Sequence, residues 1–70
     1  MPMARDSEVE PGDLFRKVGH GQPIWRIDSL LRHVQFPHAK LTRLDSPGTQ
    51  MTIAVAALID PRFFDRIKVE

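Results

Sequence analysis

The residues of this chain best suited to bind a metal ion or transfer a proton are its three histidines, His20, His33 and His38. They are separated by thirteen and five positions, and the sequence has no cysteine to complete a thiolate site. Zinc ligands usually come as cysteines or as closely spaced histidine pairs. A pair of His33 and His38 across a hairpin is geometrically possible, but the pattern favours surface or turn histidines. We therefore expect no metal ion and no cofactor.

The serines and glycines carry no recognisable catalytic or phosphate-binding motif. Ser7 lies in a polar leading segment, and Ser29 and Ser46 lie where a bend and a turn are expected. No nucleophile-elbow pattern surrounds them, and the four glycines match no phosphate-binding loop. A chain of 70 residues rarely encloses a pocket that excludes water. We therefore expect a protein that is not an enzyme.

Basic residues are concentrated in the middle of the chain. Residues 14–44 contain six lysines and arginines but one acidic residue, whereas residues 1–13 have a net charge of −3. If two strands of this middle segment pair, four basic side chains could share one outer face: Arg26, Arg32, Lys40 and Arg43. Trp25 or Phe36 could then offer a surface on which nucleic-acid bases stack.

Two other interpretations of the basic centre stay open. The whole chain has a net charge of only +1 and an isoelectric point of 8.3, lower than a dedicated nucleic-acid-binding domain usually shows. Outward lysines and arginines also prevent sheets from associating edge to edge. The acidic leading segment could instead lie over the basic centre and neutralise it. For these reasons we expect weak binding of RNA or single-stranded DNA only as an alternative function of the chain.

The aromatic residues indicate a protein partner. Trp25 is the single tryptophan, and a small β domain would bury its large apolar surface first, although it could also contact a partner. Phe63 and Phe64 are adjacent, so only one of them can face the core from a strand. We assign Phe64 to the uncovered side, where a second protein or a second copy of the chain would contact it.

The segment 24–34, IWRIDSLLRHV, decides the architecture because it fits both a helix and a strand. Four apolar residues from Ile27 to Val34 follow the i, i+3, i+4, i+7 spacing of a helix. Two prolines bracket the segment, however, and leave room for only about two turns, which are weakly stable as a helix. We predict a long bent strand, with a bulge at Asp28 and Ser29. The bulge lets side chains at both odd and even positions reach the core.

Short strands separated by turns are predicted on both sides of this segment. LFRKV and HAKLTRL indicate strands at 14–18 and 38–44, with a tight DSPGT turn at 45–49. Apolar residues at alternate positions from 51 to 57 indicate the next strand. The last strand is predicted over 63–69 after a loop or 3₁₀ turn, with a one-turn helix as the alternative.

The chain forms one small domain at most. Its 70 residues contain no cysteine, so apolar packing must stabilise it, with self-association as a further contribution. Residues 1–10 are expected to be a disordered tail, followed by a single β domain over 11–70. The longest apolar run, IAVAALI, is too short to span a bilayer, and no signal peptide is recognisable. We expect a soluble cytoplasmic protein.

The predicted order of strands and turns resembles the SH3-like small barrels of bacteria. The chain contains four motifs within residues 11–67, PGDLFRKVG, PIWRI, PHAKLTRLD and TIAVAALIDPRFF. More narrowly, these motifs look like those of a group of small proteobacterial proteins without an assigned function. The resemblance implies a mainly β fold, either a five-stranded barrel or a strongly curled antiparallel sheet, with a short 3₁₀ or one-turn helix near the C-terminus. SH3-like barrels bind peptides, nucleic acid or other subunits. Recognition of proline-rich peptides is not expected, because the chain has no tyrosine and a single tryptophan.

The leading hypothesis from the sequence is a non-catalytic binding module that makes protein–protein contacts. The candidate contact residues are Trp25, Phe36 and Phe64, close to the loops at 19–23 and 33–38. No membrane and no metal ion are expected to take part.

Overall fold

The computed structural model describes residues 9–32 and 34–67. They form five strands and one short helix: β1 (Leu14–Lys17), β2 (Ile24–Leu31), β3 (His38–Arg43), β4 (Ser46–Ala54), α1 (Val55–Leu58) and β5 (Phe64–Ile67). The strands pair antiparallel in one sheet with the order β4-β3-β2-β1-β5. The fold is therefore mainly β, as predicted, and the sheet is open because β4 and β5 do not pair among the described residues.

The segment that fitted both a helix and a strand forms strand β2 over Ile24–Leu31, which ends before the predicted boundary at 34. Its pairing with β3 shifts register between Ile27 and Ser29, so Asp28 is the extra residue of a β-bulge. Ile27 before the bulge is buried, and Leu30 after it packs against the core. Residues of both sequence parities thus reach the core. The predicted strand and its bulge are both confirmed.

One hydrophobic core lies inside the curled sheet. It contains residues from four strands, the helix and the leading segment: Val9, Phe15, Ile27, Ala39, Leu41, Val55, Leu58 and Phe64. Met51 and Ile53 of β4 are partly buried against it. Each fully buried side chain of this size stabilises the fold by about 1.5–3 kcal/mol. Because both edge strands contribute to one core, the sheet curls and brings its two edges towards each other.

The strand predicted from 51 to 57 ends at Ala54, and its last part is the single turn α1. Val55 and Leu58 are three positions apart and both buried. Strand alternation would have exposed Leu58, whereas a helical turn places both side chains on one side. The Val55 amide donates to the Pro37 carbonyl oxygen at 2.9 Å, which fixes the start of the turn. After it, β5 forms in place of the alternative helix.

The turn between β3 and β4 is shorter than the predicted one at 45–49. Arg43 pairs with Ser46, so Leu44 and Asp45 alone form the turn. The register then shifts before the pairing of Thr42 with Gln50, and the Pro-Gly-Thr segment between is an irregularity within the edge strand.

The domain begins earlier than predicted. Val9 is fully buried in the core, so residues 9 and 10 belong to the domain and not to a disordered tail. The part of the predicted tail at 1–8 lies outside the described residues, as does 68–70 at the end of the last predicted strand.

Candidate functional site

A cleft of about 590 Å³ lies between the two edges of the sheet. Its apolar walls are Pro23, Trp25, Met51, Ile53, Phe63 and Phe64. Met51 and Ile53 come from edge strand β4, and Phe64 comes from edge strand β5. The curl of the sheet therefore creates the cleft, which has the volume and the apolar lining of known ligand sites, about 300–1,000 Å³.

Trp25 forms the inner wall of the cleft. It lies directly opposite Phe15 of β1 and Arg43 of β3 in the sheet register. Directly opposite residues of an antiparallel pair have side chains on the same face. Trp25 is partly buried against the core and also lines the cleft. Trp25 can therefore pack against the core and also present part of its ring to a partner in the cleft.

The assignment of Phe63 and Phe64 to the two sides is the reverse of the predicted one. Phe64 is 6% exposed and belongs to the core, whereas Phe63 is 49% exposed. Phe64 is a member of β5 opposite Lys17, and the carbonyl oxygen of Phe63 accepts a hydrogen bond from the Val18 amide at 2.8 Å. These bonds fix which ring turns inward. Phe63 is thus the outer aromatic residue of the cleft.

Among the residues that the structure describes, the charged side chains of the cleft lining are Lys17 and Arg43, and no carboxylate lines it. Arg43 Nε and Nη2 donate to the two carboxylate oxygens of Asp45 at 2.8 and 2.9 Å. These bonds raise the pKa of Arg43 and lower the pKa of Asp45. Lys17 is exposed and has no carboxylate partner among the residues that the structure describes.

Four lining residues were not predicted from the sequence: Lys17, Met51, Ile53 and Phe63. Lys17 could have been predicted, because it lies two positions after the buried Phe15 and its side chain therefore points to the same face of β1. The cleft itself could not be predicted, since it depends on how far the sheet curls.

The four basic residues predicted to share an outer face do not do so. Arg26 and Lys40 lie on the outer face, opposite Thr42 and Ser29. Arg43 lies on the other face, opposite Trp25, because it is one position further along β3 than Thr42. The prediction of one continuous basic face is therefore wrong.

The arginines of this set are also paired with carboxylates. Arg26 is 3.2 Å from Asp28, and Arg32 is 3.4 Å from Glu10. Arg32 donates in addition to the Val9 carbonyl oxygen at 2.9 Å. Glu10 belongs to the acidic leading segment, so at this point that segment does contact the basic centre. Pairing leaves less positive potential than the residue count implied.

A polar network crosses the outer face from β2 to β4. The Thr42 hydroxyl donates to Asp28 Oδ2, and Gln50 Nε2 donates to Thr42 Oγ1 at 3.4 Å. The bond from Thr42, followed by that from Arg26, lowers the pKa of Asp28 despite its partial desolvation. The bulge residue thus links three neighbouring strands.

Phe36 is not one of the residues that line the cleft. It is 67% exposed in the loop after β2, with exposed Leu31 and Val34 nearby in sequence. Trp25 lies at the start of β2, and the strand rise separates the two ends by about 20 Å. Phe36 therefore forms a separate apolar surface and does not join Trp25 in one site.

Of the two histidines considered as a possible pair, the structure describes only His38. His38 donates through Nδ1 to the Phe36 carbonyl oxygen at 2.6 Å, which stabilises the loop. His20 is exposed, and His33 lies outside the described residues. His38 therefore has a local structural contact of the turn type expected for it.

The described part of the chain holds no group of three or more His, Cys, Asp or Glu side chains suited to a metal ion. Within the same residues, no helix has the length and apolar character needed to cross a membrane. Comparisons with protein-family models, curated proteins and solved structures give no match to this chain.

Proposed function

We propose that this protein is a non-catalytic binding module whose protein partner docks in the cleft between β4 and β5. The observation that carries the proposal is that a partly buried Trp25 and an exposed Phe63 line one apolar cleft. Aromatic side chains in such pockets supply most of the binding energy of protein interfaces. Phe63, at 49% exposure, still has much apolar surface to bury against a partner.

The fold suits a module of the SH3-like type. The last strand pairs with the first, and a single helical turn lies between β4 and β5. This arrangement supports the resemblance to small bacterial barrels, although the sheet here is open. The absence of cysteine fits a reducing compartment, so we place the module in the cytoplasm.

Nucleic-acid binding has weaker support. Arg26, Arg32 and Arg43 are each within 3.4 Å of a carboxylate oxygen, and Arg43 faces away from Arg26. Phe36 and Trp25 are too far apart to stack neighbouring bases of one short segment. We keep nucleic acid as a measured outcome of the test.

The test selects ligands for the full chain from a random peptide display library and maps them by backbone amide chemical shifts. We expect selected peptides to shift Trp25 and β4 amides, and Phe63→Asp to abolish their binding. Phe36→Asp is the matched control, since it changes an even more exposed phenylalanine that does not line the cleft.

Two results would contradict the proposal. One is a set of selected peptides whose affinity Phe63→Asp leaves unchanged. The other is binding of oligo-uridine RNA whose affinity falls steeply between about 50 and 200 mM salt, since apolar contacts respond little to salt.

A further inference from the structure

Edge strand β4 has a long stretch without the usual protection against strand pairing. The nine residues Ser46–Ala54 include no charged side chain. Pro47 and the register shift protect its first half, but Gln50–Ala54 has regular pairing with β3 and contains neither proline nor charge. Natural edge strands usually carry charges, prolines or bulges, because an unprotected edge pairs with other chains.

Edge strand β5 has the opposite character. It is four residues long and contains Asp65 and Arg66. Arg66 donates to Asp13 at 2.7 Å, and its guanidinium lies 5.8 Å from the Phe15 ring centroid. A short and charged strand is a poor template for pairing. An incoming strand therefore has one suitable edge, which is β4.

The cleft lies beside this suitable edge and sets the chemistry of an occupant. Met51 and Ile53, two positions apart in the regular half of β4, both line it. Side chains of an extended peptide also alternate, so apolar residues at every second position would fit it. The charged lining residues, Lys17 and Arg43, are both cationic, and Lys17 has no carboxylate partner in the described part of the chain.

We propose that the partner enters the cleft as an extended segment that pairs with β4 over Gln50–Ala54. Its alternate apolar side chains contact Trp25 and Phe63, and an acidic side chain pairs with Lys17. Backbone hydrogen bonds then supply affinity, and the cleft supplies specificity. This inference rests on the proposed function and specifies the conformation and charge of the segment that binds.

The test uses short acetylated peptides in which valine alternates with aspartate, and counterparts in which lysine replaces aspartate. Two further aspartate peptides are N-methylated at alternate residues, one on each edge of the extended backbone. Isothermal titration and amide chemical shifts report affinity and location. We expect the aspartate peptide to shift Gln50–Ala54 and to bind better than the lysine peptide. One methylated peptide should lose about tenfold or more, because it cannot donate to β4, while the other still binds.

Charge variants test the role of Lys17. Lys17→Glu should weaken the aspartate peptide about three- to fivefold and favour the lysine peptide, as expected for one exposed ion pair. Lys40→Glu is the matched control, an exposed lysine on the outer face, and should leave both affinities nearly unchanged.

Several outcomes would overturn the inference. Equal loss on methylation of either edge would show docking through side chains alone, and equal binding of the lysine peptide would remove the acidic preference. Concentration-dependent dimerisation with shifts in Gln50–Ala54 would show that a second copy occupies the edge. If these probes fail while library-selected ligands still depend on Phe63, the inference is wrong and the proposed function stands. If no ligand of any kind depends on Phe63, both fail.

Discussion

The two edge strands present the same kind of unpaired backbone but differ in length, charge and attachment. β5 is short, carries Asp65 and Arg66, and places Phe64 in the core. β4 is more than twice as long, has no charge, and contributes only partly buried residues to the core. The buried Phe64 and the charged residues of β5 thus make this strand part of the stable fold and a poor partner for another strand. β4, in contrast, has a regular, uncharged edge beside an apolar cleft.

The two strands are also attached in different ways. β4 is linked to the sheet through the polar network of Asp28, Thr42 and Gln50 on the outer face. β5 is held by the buried Phe64 ring and by the ion pair of Arg66 with Asp13. The difference separates two roles, because loss of the buried Phe64 ring should act on stability and changes along Gln50–Ala54 should act on binding.

The largest expected effect separates the two adjacent phenylalanines. Phe64→Ala should lower the free energy of unfolding by about 3–5 kcal/mol, because it leaves a cavity in a small core. Phe63→Ala should change it by less than about 0.5 kcal/mol, since the ring is half exposed, and should weaken cleft ligands. Urea unfolding followed by circular dichroism measures both. Similar losses from the two variants would show that β5 does not orient its rings as described.

Much of the fold could be predicted from local sequence. The bulge at Asp28 followed from apolar residues that change between odd and even positions within 24–31. Glycine and proline marked the loop at 19–23 correctly, but Pro47 and Gly48 lie within β4 and not in the turn before it. A short helical turn near the C-terminus was predicted, but its start at Val55 was not, because residues 51, 53, 55 and 57 fit strand alternation. Only the burial of Leu58 distinguishes the helical turn, and burial depends on tertiary packing.

The site was harder to predict, because side-chain faces depend on register. Arg43 was placed with Arg26 on one face, but Arg43 lies two positions after the buried Leu41 of β3 and opposite Trp25, so it faces the core side of the sheet. Each of these arginines has an aspartate two positions later, and this spacing was a readable signal of pairing on one strand face. The cleft joins residues far apart in sequence, so no local pattern contains it.

The attachment of β4 is tested by Thr42→Val. Thr42 is buried and bonded to both Asp28 and Gln50, so its loss should destabilise the fold by about 1–2 kcal/mol at neutral pH. Thr52→Val, on the same outer face of β4 but exposed, is the control and should have little effect.

The same variant should change the acid response. The folded pKa of Asp28 lies below 3.8, so its stabilising contribution is present above that pH and is lost as pH falls through the folded pKa. Thr42→Val removes the main cause of the lowering and should raise the pKa of Asp28 towards 3.8. Carboxyl carbon-13 titration measures this pKa. An unchanged value would rule out the Thr42 bond as its cause.

The protection of β5 is tested by Asp65→Val. Removing this exposed charge should leave stability within about 0.5 kcal/mol but make the edge more prone to self-association. Sedimentation velocity should show a sedimentation coefficient that rises with concentration, whereas the original chain shows a smaller rise. If the variant stays as monomeric as the original, charge is not what protects this edge.

The smallest effect is expected at the turn before β5. Asp60 accepts a hydrogen bond from the Arg62 backbone amide at 2.9 Å, which is independent of the Arg62 side chain. Arg62→Gln should therefore leave the unfolding midpoint unchanged within error. It should raise the pKa of Asp60, which the Arg62 side chain lowers most. A fall in the midpoint would show that the exposed ion pair does help to position β5.

Amide hydrogen exchange along residues 50–54 of the unliganded chain tests most directly whether the outer edge of β4 is unpaired. In an edge strand, alternate amides point towards β3 and are protected, while the others point away and exchange rapidly. Central strand β3 should show protection at both sets. We expect alternation in β4 and continuous protection in β3. Continuous protection in β4 as well would mean that its outer side is already paired, and the cleft would then have no edge to offer.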